Sequence, residues 1–182
     1  MPQLFRGNGI GWGPDTILDR PSLAPLAANV CANWVLIEED MAWLFSLLMG
    51  VDLPNSESGD PQFHPIGSQI FDAMNNLQQR LDLLLRLLKW RKLDEKTSEF
   101  QNLLEGKIRK QAKERNAIAH GLWGVNESEP DALILVGSDG LSFIYKKRDF
   151  EQASKRILEL HKGLQLFIVS IHGVLKKESK TR

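Results

Sequence analysis

Residues 150–174, FEQASKRILELHKGLQLFIVSIHGV, decide the fold that the sequence predicts. At about 3.6 residues per turn, apolar residues in alternating steps of three and four lie on one stripe of a helix. Helices with such stripes pack against one another at shallow angles, so we expect this helix to belong to a four-helix bundle. The stripe consists of Phe150, Ala153, Ile157, Leu160, Leu164, Phe167, Ile171 and Val174.

The same spacing predicts two helices in the first half of the chain. The first carries its apolar stripe over 27–48 and ends near Gly50, and the second covers about 70–93. Between them, the stretch 51–65 contains three prolines and a glycine, which favours a loop. These two helices would precede the rest of the bundle.

A third helix is predicted to begin between Asp94 and Ser98. Ser98 and Gln101 match a capping box, in which the two side chains satisfy free backbone N–H groups at a helix start. The helix is expected to run to His120, because Gly121 is typical of a position just past a helix end. Its C-terminal turns contain the most informative residues of the chain.

A small β-hairpin is predicted between the third and fourth helices, at about residues 122–147. Two segments rich in β-branched and aromatic residues, 132–136 and 141–145, flank a turn bounded by Gly137 and Gly140. Residues 122–125 are a candidate third strand. The predicted fold is therefore mainly α, an up-and-down four-helix bundle with a small hairpin.

Length and composition favour one compact domain. The 182 residues, 42% of them hydrophobic, are enough for a substantial core. Glycines and prolines make 1–22 an expected irregular arm, the helical domain is expected at 23–177, and a basic tail at 178–182. We expect a single domain with a short arm and tail.

Charge and cysteine content limit the kinds of partner and the cellular compartment that the sequence favours. Lys plus Arg and Asp plus Glu both number 23, so any nucleic-acid contact must come from a local patch. The chain has a single cysteine, Cys31, and no apolar segment typical of a secretory signal, which favours a cytoplasmic protein. It also has no apolar run of about 20 residues, so no membrane span is expected. The four histidines fall on different predicted elements, so neither a metal site nor a cofactor is expected.

Arg115 projects into the apolar stripe of the third helix, whose members are Phe100, Leu104, Ile108, Ile118 and Leu122. A guanidinium on an apolar face is costly unless an anion meets it. Glu38, at the margin of the core-facing stripe of the first helix, is the predicted partner. Glu39 and Asp40 are weaker alternatives.

A polar strip on the same helix is formed by Arg109, Lys113, Asn116 and His120, which follow one another by three or four residues. His120 lies about 140° around the helix from Arg115, so the two side chains diverge within one chain. A two-fold axis would bring two copies of both groups into one cleft, which favours a homodimer. The alternative interpretation is a solvated face with a histidine that ends a helix favourably.

The five tryptophans are interpreted mainly as packing residues. Trp34 lies on the stripe of the first helix, and Trp43 and Trp90 lie near other stripes, so a core or dimer contact is the default for all three. Trp123 follows His120 by three residues, and we identify it as a candidate to line a cleft or stack on a base.

Residues 115–120, RNAIAH, resemble the signature of the HEPN superfamily, an arginine followed after four to six residues by a histidine near the end of a long helix. Members are small all-α domains, and the residue after the arginine is typically polar, as Asn116 is. In a second match, Arg156 to His161, the arginine is followed by the apolar Ile157, and the match lies inside the regular fourth helix. We interpret this second match as a decoy, with His161 a surface or core-margin residue.

The resemblance implies a metal-independent endoribonuclease that acts as a homodimer and leaves 2′,3′-cyclic phosphate ends. His120 would be the general acid or base, Arg115 would neutralise charge on the phosphate, and Asn116 would orient either group. Arg109 and Lys113 would hold flanking phosphates of the RNA substrate. Such a protein would serve as a toxin, with an antitoxin partner, or in defence. The alternative is a non-catalytic dimerisation or binding module.

Overall fold

A computed structural model describes residues 2–7, 9–13, 15–49, 65–137 and 140–179. The loop predicted at 51–65, including His64, lies outside the described residues except for Pro65. The turn residues 138–139 and the end of the predicted tail, 180–182, also lie outside them.

The described chain is mainly helical and carries a small antiparallel sheet, which confirms the predicted class. None of its helices is long and apolar enough to cross a membrane. A 3₁₀ turn covers Thr16–Asp19, and a π-helical stretch covers Phe100–Glu105. The α-helices are α1 (Ala24–Leu48), α2 (Pro65–Asp72), α3 (Leu77–Trp90), α4 (Asp94–Glu99), α5 (Gly106–His120) and α6 (Lys147–Ser179).

The prediction of one continuous second helix is wrong at residues 73–76, which separate α2 from α3. Asn76 caps α3, because its side-chain oxygen accepts a hydrogen bond of 2.8 Å from the backbone N–H of Gln78. Arg80 then turns back and donates from Nε to the carbonyl oxygen of Met74, 2.7 Å away. The apolar spacing continues across this break, so periodicity alone did not reveal it.

The predicted third helix begins at Asp94 and ends at His120, with the π-helical stretch between α4 and α5. Ser98 lies inside α4 rather than at its start, so the capping-box interpretation is wrong. Leu93 precedes the helix and makes no side-chain cap. Asp94 and Glu95 occupy the first turn, where carboxylates interact favourably with the helix dipole.

The sheet has five antiparallel strands in the order β1-β5-β4-β3-β2. The two outer strands come from the N-terminal segment that was predicted to be irregular, and each is only two residues long. Segments this short have no readable alternation, and they form because the edges of the central strands offer unpaired backbone groups. The strands are β1 (Gln3–Leu4), β2 (Gly11–Trp12), β3 (Leu122–Val125), β4 (Ala132–Val136) and β5 (Ser142–Lys146).

The chain divides into two compact units. The first unit, Met1–Val35 and Arg109–Glu159, contains the sheet, and its core includes Val30, Trp34, Ile118, Leu133, Ile134, Phe150 and Ile157. The second unit, Leu36–Ile108 and Leu160–Arg182, is helical, and its core includes Met41, Leu44, Phe71, Leu84, Phe100, Leu164 and Phe167. The predicted limits of arm, domain and tail stay predictions.

Candidate functional site

The end of α5 is fixed by two features of the first unit. A Cβ at residue 121 would overlap the carbonyl oxygen of Ala117 and the side chain of Leu135, so only glycine fits where α5 turns into β3. The indole N–H of Trp123 donates to the carbonyl oxygen of Ile118, 3.0 Å away, and so satisfies one of the free carbonyls of the last helical turn. These contacts hold the end of the helix that carries the motif.

The predicted polar strip lies on α5, within the first unit, and most of it is open to solvent. Lys113, Asn116 and His120 are exposed, and Arg109 is half-buried. Asn116 precedes His120 by one helical turn, so the amide and the imidazole share a face. An exposed imidazole beside an amide and a lysine is suited to contact a phosphate from solvent.

Arg115 is half-buried, and its guanidinium reaches towards this strip. Its Nη1 donates to the side-chain oxygen of Asn116 at 2.8 Å. The guanidinium carbon lies 5.7 Å from the centre of the Trp34 ring, within the range of a cation–π contact. Helix geometry separates Arg115 from His120, and Arg115 reaches the polar strip at Asn116.

The predicted partner of Arg115, Glu38, belongs to the second unit. There its Oε1 lies 3.9 Å from Nη1 of Arg80, with both side chains partly exposed. The weaker alternative, Asp40, is also in the second unit and is bound to His161. The pairing of Arg115 with Glu38 stays a prediction.

Trp123 is buried, 9% exposed, and belongs to an aromatic cluster. Its ring meets Tyr145 edge-on with centres 5.4 Å apart, and the ring of Phe150 lies 5.8 Å away. Burial, followed by the charges of Glu114 and Asp149, raises the pKa of Tyr145 to about 12, so this phenol stays protonated near neutral pH. A base-stacking role for Trp123 stays a prediction, and it would require the indole to leave this packing.

The second Arg-His match engages two buried or half-buried carboxylates. In the first unit, Nη2 of Arg156 lies 2.6 Å from Oε1 of Glu114. In the second unit, Nδ1 of His161 lies 2.6 Å from Oδ2 of Asp40, which is only 4% exposed. Residues 40 and 161 are 121 positions apart, and no spacing rule in the sequence reveals such a pair.

The contact between Asp40 and His161 affects the pKa of the carboxyl group and the orientation of the imidazole. Burial raises the pKa of Asp40 above its ordinary value of 3.8, and the hydrogen bond and charge of His161 oppose that rise. A carboxylate on Nδ1 fixes the orientation of an imidazole and leaves Nε2 as its other functional atom. The sequence prediction of His161 as a surface or core-margin residue missed this contact.

The tryptophans divide into buried and exposed groups. Trp34 is 3% exposed, which confirms its predicted core position. Trp43 and Trp90 are 45% and 69% exposed, so neither lies in the core, and a dimer contact for them stays a prediction. Periodicity identifies the apolar face of a helix but not the exact limits of that face. Whether a residue at its edge is buried depends on the elements that pack beside it.

The described residues contain no group of three or more His, Cys, Asp or Glu side chains placed to hold a metal ion. Comparison with protein-family models, curated proteins and solved structures finds no match. The resemblance to the HEPN superfamily therefore depends on the motif residues of this chain and on their geometry.

Proposed function

We propose that the protein is a metal-independent endoribonuclease of HEPN type, with Arg115, Asn116 and His120 at its reaction centre. The observation that carries the proposal is the hydrogen bond of the Arg115 guanidinium to Asn116, whose amide lies one turn from the exposed His120. This arrangement directs a permanent cation, an amide and a titratable base towards one helix face. Each has a role in phosphodiester cleavage.

In the proposed reaction, the ribose 2′-oxygen attacks phosphorus and the bond to the 5′-oxygen breaks. One imidazole accepts the proton of the 2′-hydroxyl, and a proton donor supplies the leaving 5′-oxygen. Arg115 stabilises the extra negative charge on the non-bridging oxygens, and Asn116 orients its guanidinium. The products are a 2′,3′-cyclic phosphate and a free 5′-hydroxyl, so atoms and protons balance without a metal.

The need for both a base and an acid supports a homodimer, because each protomer supplies only one His120. A two-fold axis beside the end of α5 would provide two imidazoles and two guanidinium groups. We propose this composite site together with the up-and-down four-helix arrangement of the predicted fold. A cytoplasmic toxin with an antitoxin partner, or a defence nuclease, is the role we propose for such an activity.

The test is cleavage of end-labelled single-stranded RNA in the presence of a chelator. Wild-type protein should give fragments with cyclic phosphate ends, and His120→Ala should be slower by about 100- to 10,000-fold, the range for loss of a general acid or base. Lys110→Ala, an exposed residue of the same helix, is the control and should keep wild-type activity. Equal cleavage by wild type and His120→Ala would identify a contaminating nuclease and remove the support for the proposal.

A second function, a non-catalytic dimerisation or binding module, is favoured by the contact of Arg115 with Trp34. In that case the guanidinium serves packing, and His120 only ends a helix. Absence of cleavage by the wild type, with a dimer mass twice 20.6 kDa in light scattering, would support the module. A monomer would exclude the composite site.

A further inference from the structure

The C-terminal end of α3 exposes a tryptophan, Trp90, which is the most exposed of the five tryptophans of the chain. An indole that is 69% exposed leaves most of its flat apolar surface accessible to a partner. Trp90 belongs to the second unit, whereas Arg115 and His120 belong to the first. Trp90 and the proposed reaction centre therefore belong to different units of the chain.

The Trp90 ring is held in place rather than free. The guanidinium carbon of Arg91 lies 5.1 Å from the ring centre, and Nε of Arg91 donates to the carbonyl oxygen of Leu48 at 2.8 Å. The arginine thus anchors one side of the indole to the end of α1. A ring held on one side and exposed to solvent is a pre-organised platform for a second flat group.

Basic residues are close to Trp90 along the chain. Arg86, Lys89 and Lys92 are exposed, and Arg91 is half-buried. Cations near a helix C-terminus are favourable in themselves, because the helix dipole is negative there. The dipole gives no reason, however, for an exposed indole among them.

The backbone at Lys92 is unusual. Its φ is +58°, a left-handed conformation that favours glycine. The N–H groups of Lys92 and Leu93 bond to the carbonyls of Lys89 and Leu88 at 2.9 and 3.0 Å, which completes a Schellman motif at the end of α3. Glycine is the usual residue at this position, and the lysine adds a cation next to Trp90.

We propose that Arg86, Lys89, Trp90, Arg91 and Lys92, the Trp90 platform, bind single-stranded RNA. A base stacks on the accessible side of the indole, and the cations contact the phosphates on either side. The four basic residues outnumber the exposed carboxylates of Asp94 and Glu95 that follow them, and this local excess of positive charge favours a polyanion. The flat ring favours a single strand, because bases in a duplex are already stacked on one another. This inference goes beyond the proposed reaction, since it assigns a binding surface that needs no cleavage.

The test uses the full chain carrying His120→Ala, so that the RNA stays intact. The probe is a fluorescently labelled oligouridylate of about 12 nucleotides, within the site sizes known for single-strand binding. Adding Trp90→Ala should weaken binding by about 5- to 100-fold, the range for loss of one stacked base. Trp90→Phe should retain most of the affinity, and Trp43→Ala, an exposed tryptophan of the same unit, should retain all of it.

Lys92→Gly separates binding from folding. Removal of the left-handed strain should raise Tm by about 2–4 °C. The same variant should bind RNA more weakly, with a salt dependence that is shallower by about 0.7 in log–log slope, the value for one lost phosphate contact. Lys107→Gln, an exposed lysine of the same unit, should leave the slope nearly unchanged.

Three outcomes would overturn the proposal. The first is that adding Trp90→Ala to His120→Ala leaves the affinity for the oligouridylate unchanged. The second is that a duplex of the same length binds as tightly as the single strand. The third is that Trp90→Ala changes the oligomeric mass and leaves the RNA affinity unchanged. The last would show that the platform contacts a second copy of the chain. Trp90-dependent binding would stand even if the wild type cleaved no RNA, so failure of the two proposals is distinguishable.

Discussion

Two segments of this chain share one pattern, an arginine with a histidine five positions later, and their environments differ. In the first, His120 is exposed and Arg115 bonds a neutral amide and faces an indole. In the second, Arg156 and His161 each lie 2.6 Å from a carboxylate. The two histidines therefore differ most clearly, since His120 is open to solvent whereas His161 is engaged by a buried carboxylate.

The largest expected effect is on the rate of RNA cleavage, and it should distinguish Arg115 from Arg156. Arg115→Ala should slow RNA cleavage by about 100- to 1,000-fold, as expected for loss of a group that stabilises the transition state. Arg115→Lys should recover only part of the rate, because an ammonium lacks the forked donors. Single-turnover cleavage assays would measure both.

Arg156→Ala is the matched control for Arg115→Ala. Its cleavage rate should stay within about twofold of the wild type. Its free energy of unfolding should fall by about 1 kcal/mol, because the partly exposed ion pair with Glu114 is lost. A larger loss of cleavage in Arg156→Ala than in Arg115→Ala would reverse the assignment of the two segments.

The next effect concerns the two histidines. His161→Ala should lower the free energy of unfolding by about 2–3 kcal/mol, because the buried Asp40 loses a charge-assisted hydrogen bond. Lys162→Ala, an exposed neighbour, should change stability by less than about 0.5 kcal/mol. Urea denaturation would measure both variants.

The double variant His161→Ala with Asp40→Asn tests whether the stability lost in His161→Ala comes from the interaction with Asp40. If it does, the double variant should lose less stability than the sum of the single variants, because the two residues interact directly. Strict additivity would show that the pair contributes nothing as a unit.

The smallest effect is a pH dependence. Burial raises the pKa of Asp40 in the folded state above 3.8, so the folded protein binds a proton that the unfolded chain has lost. The contribution of Asp40 to stability is therefore fully present below 3.8, and it declines as pH rises through the raised pKa.

Asp40→Asn cannot titrate, so the wild type should lose stability relative to this variant as pH rises from below 3.8. Denaturation curves of both proteins over a pH series would measure the difference. A difference that is constant with pH, or that grows in favour of the wild type, would contradict the raised pKa.

Local sequence signals predicted much of the secondary structure. The apolar stripe of the fourth predicted helix matches α6, and the glycine after His120 marks the end of α5. The reason for Gly121 differs from the expected one, since it provides room beside Leu135. The break before α3 escaped prediction, because a capping asparagine interrupts a helix without interrupting its apolar spacing.

For the candidate site, the sequence predicted the residue types and the face they share, but not their contacts. The link from Arg115 to Asn116 depends on the reach of a long side chain, which the helical angle between Cα positions does not describe. Exposure of Trp90 depends on which elements cover α3, and the pair of Asp40 and His161 joins residues 121 positions apart.

The sequence by itself determined the helical class, the position of the motif at a helix end and the balanced charge, because each depends on neighbouring residues or on composition. Only the tertiary structure decided which histidine meets a carboxylate and which stays exposed, which tryptophan is buried, and which strands form the edges of the sheet. Those outcomes depend on contacts between distant segments, and a hydrogen bond or a covered ring needs two surfaces that local periodicity does not bring together.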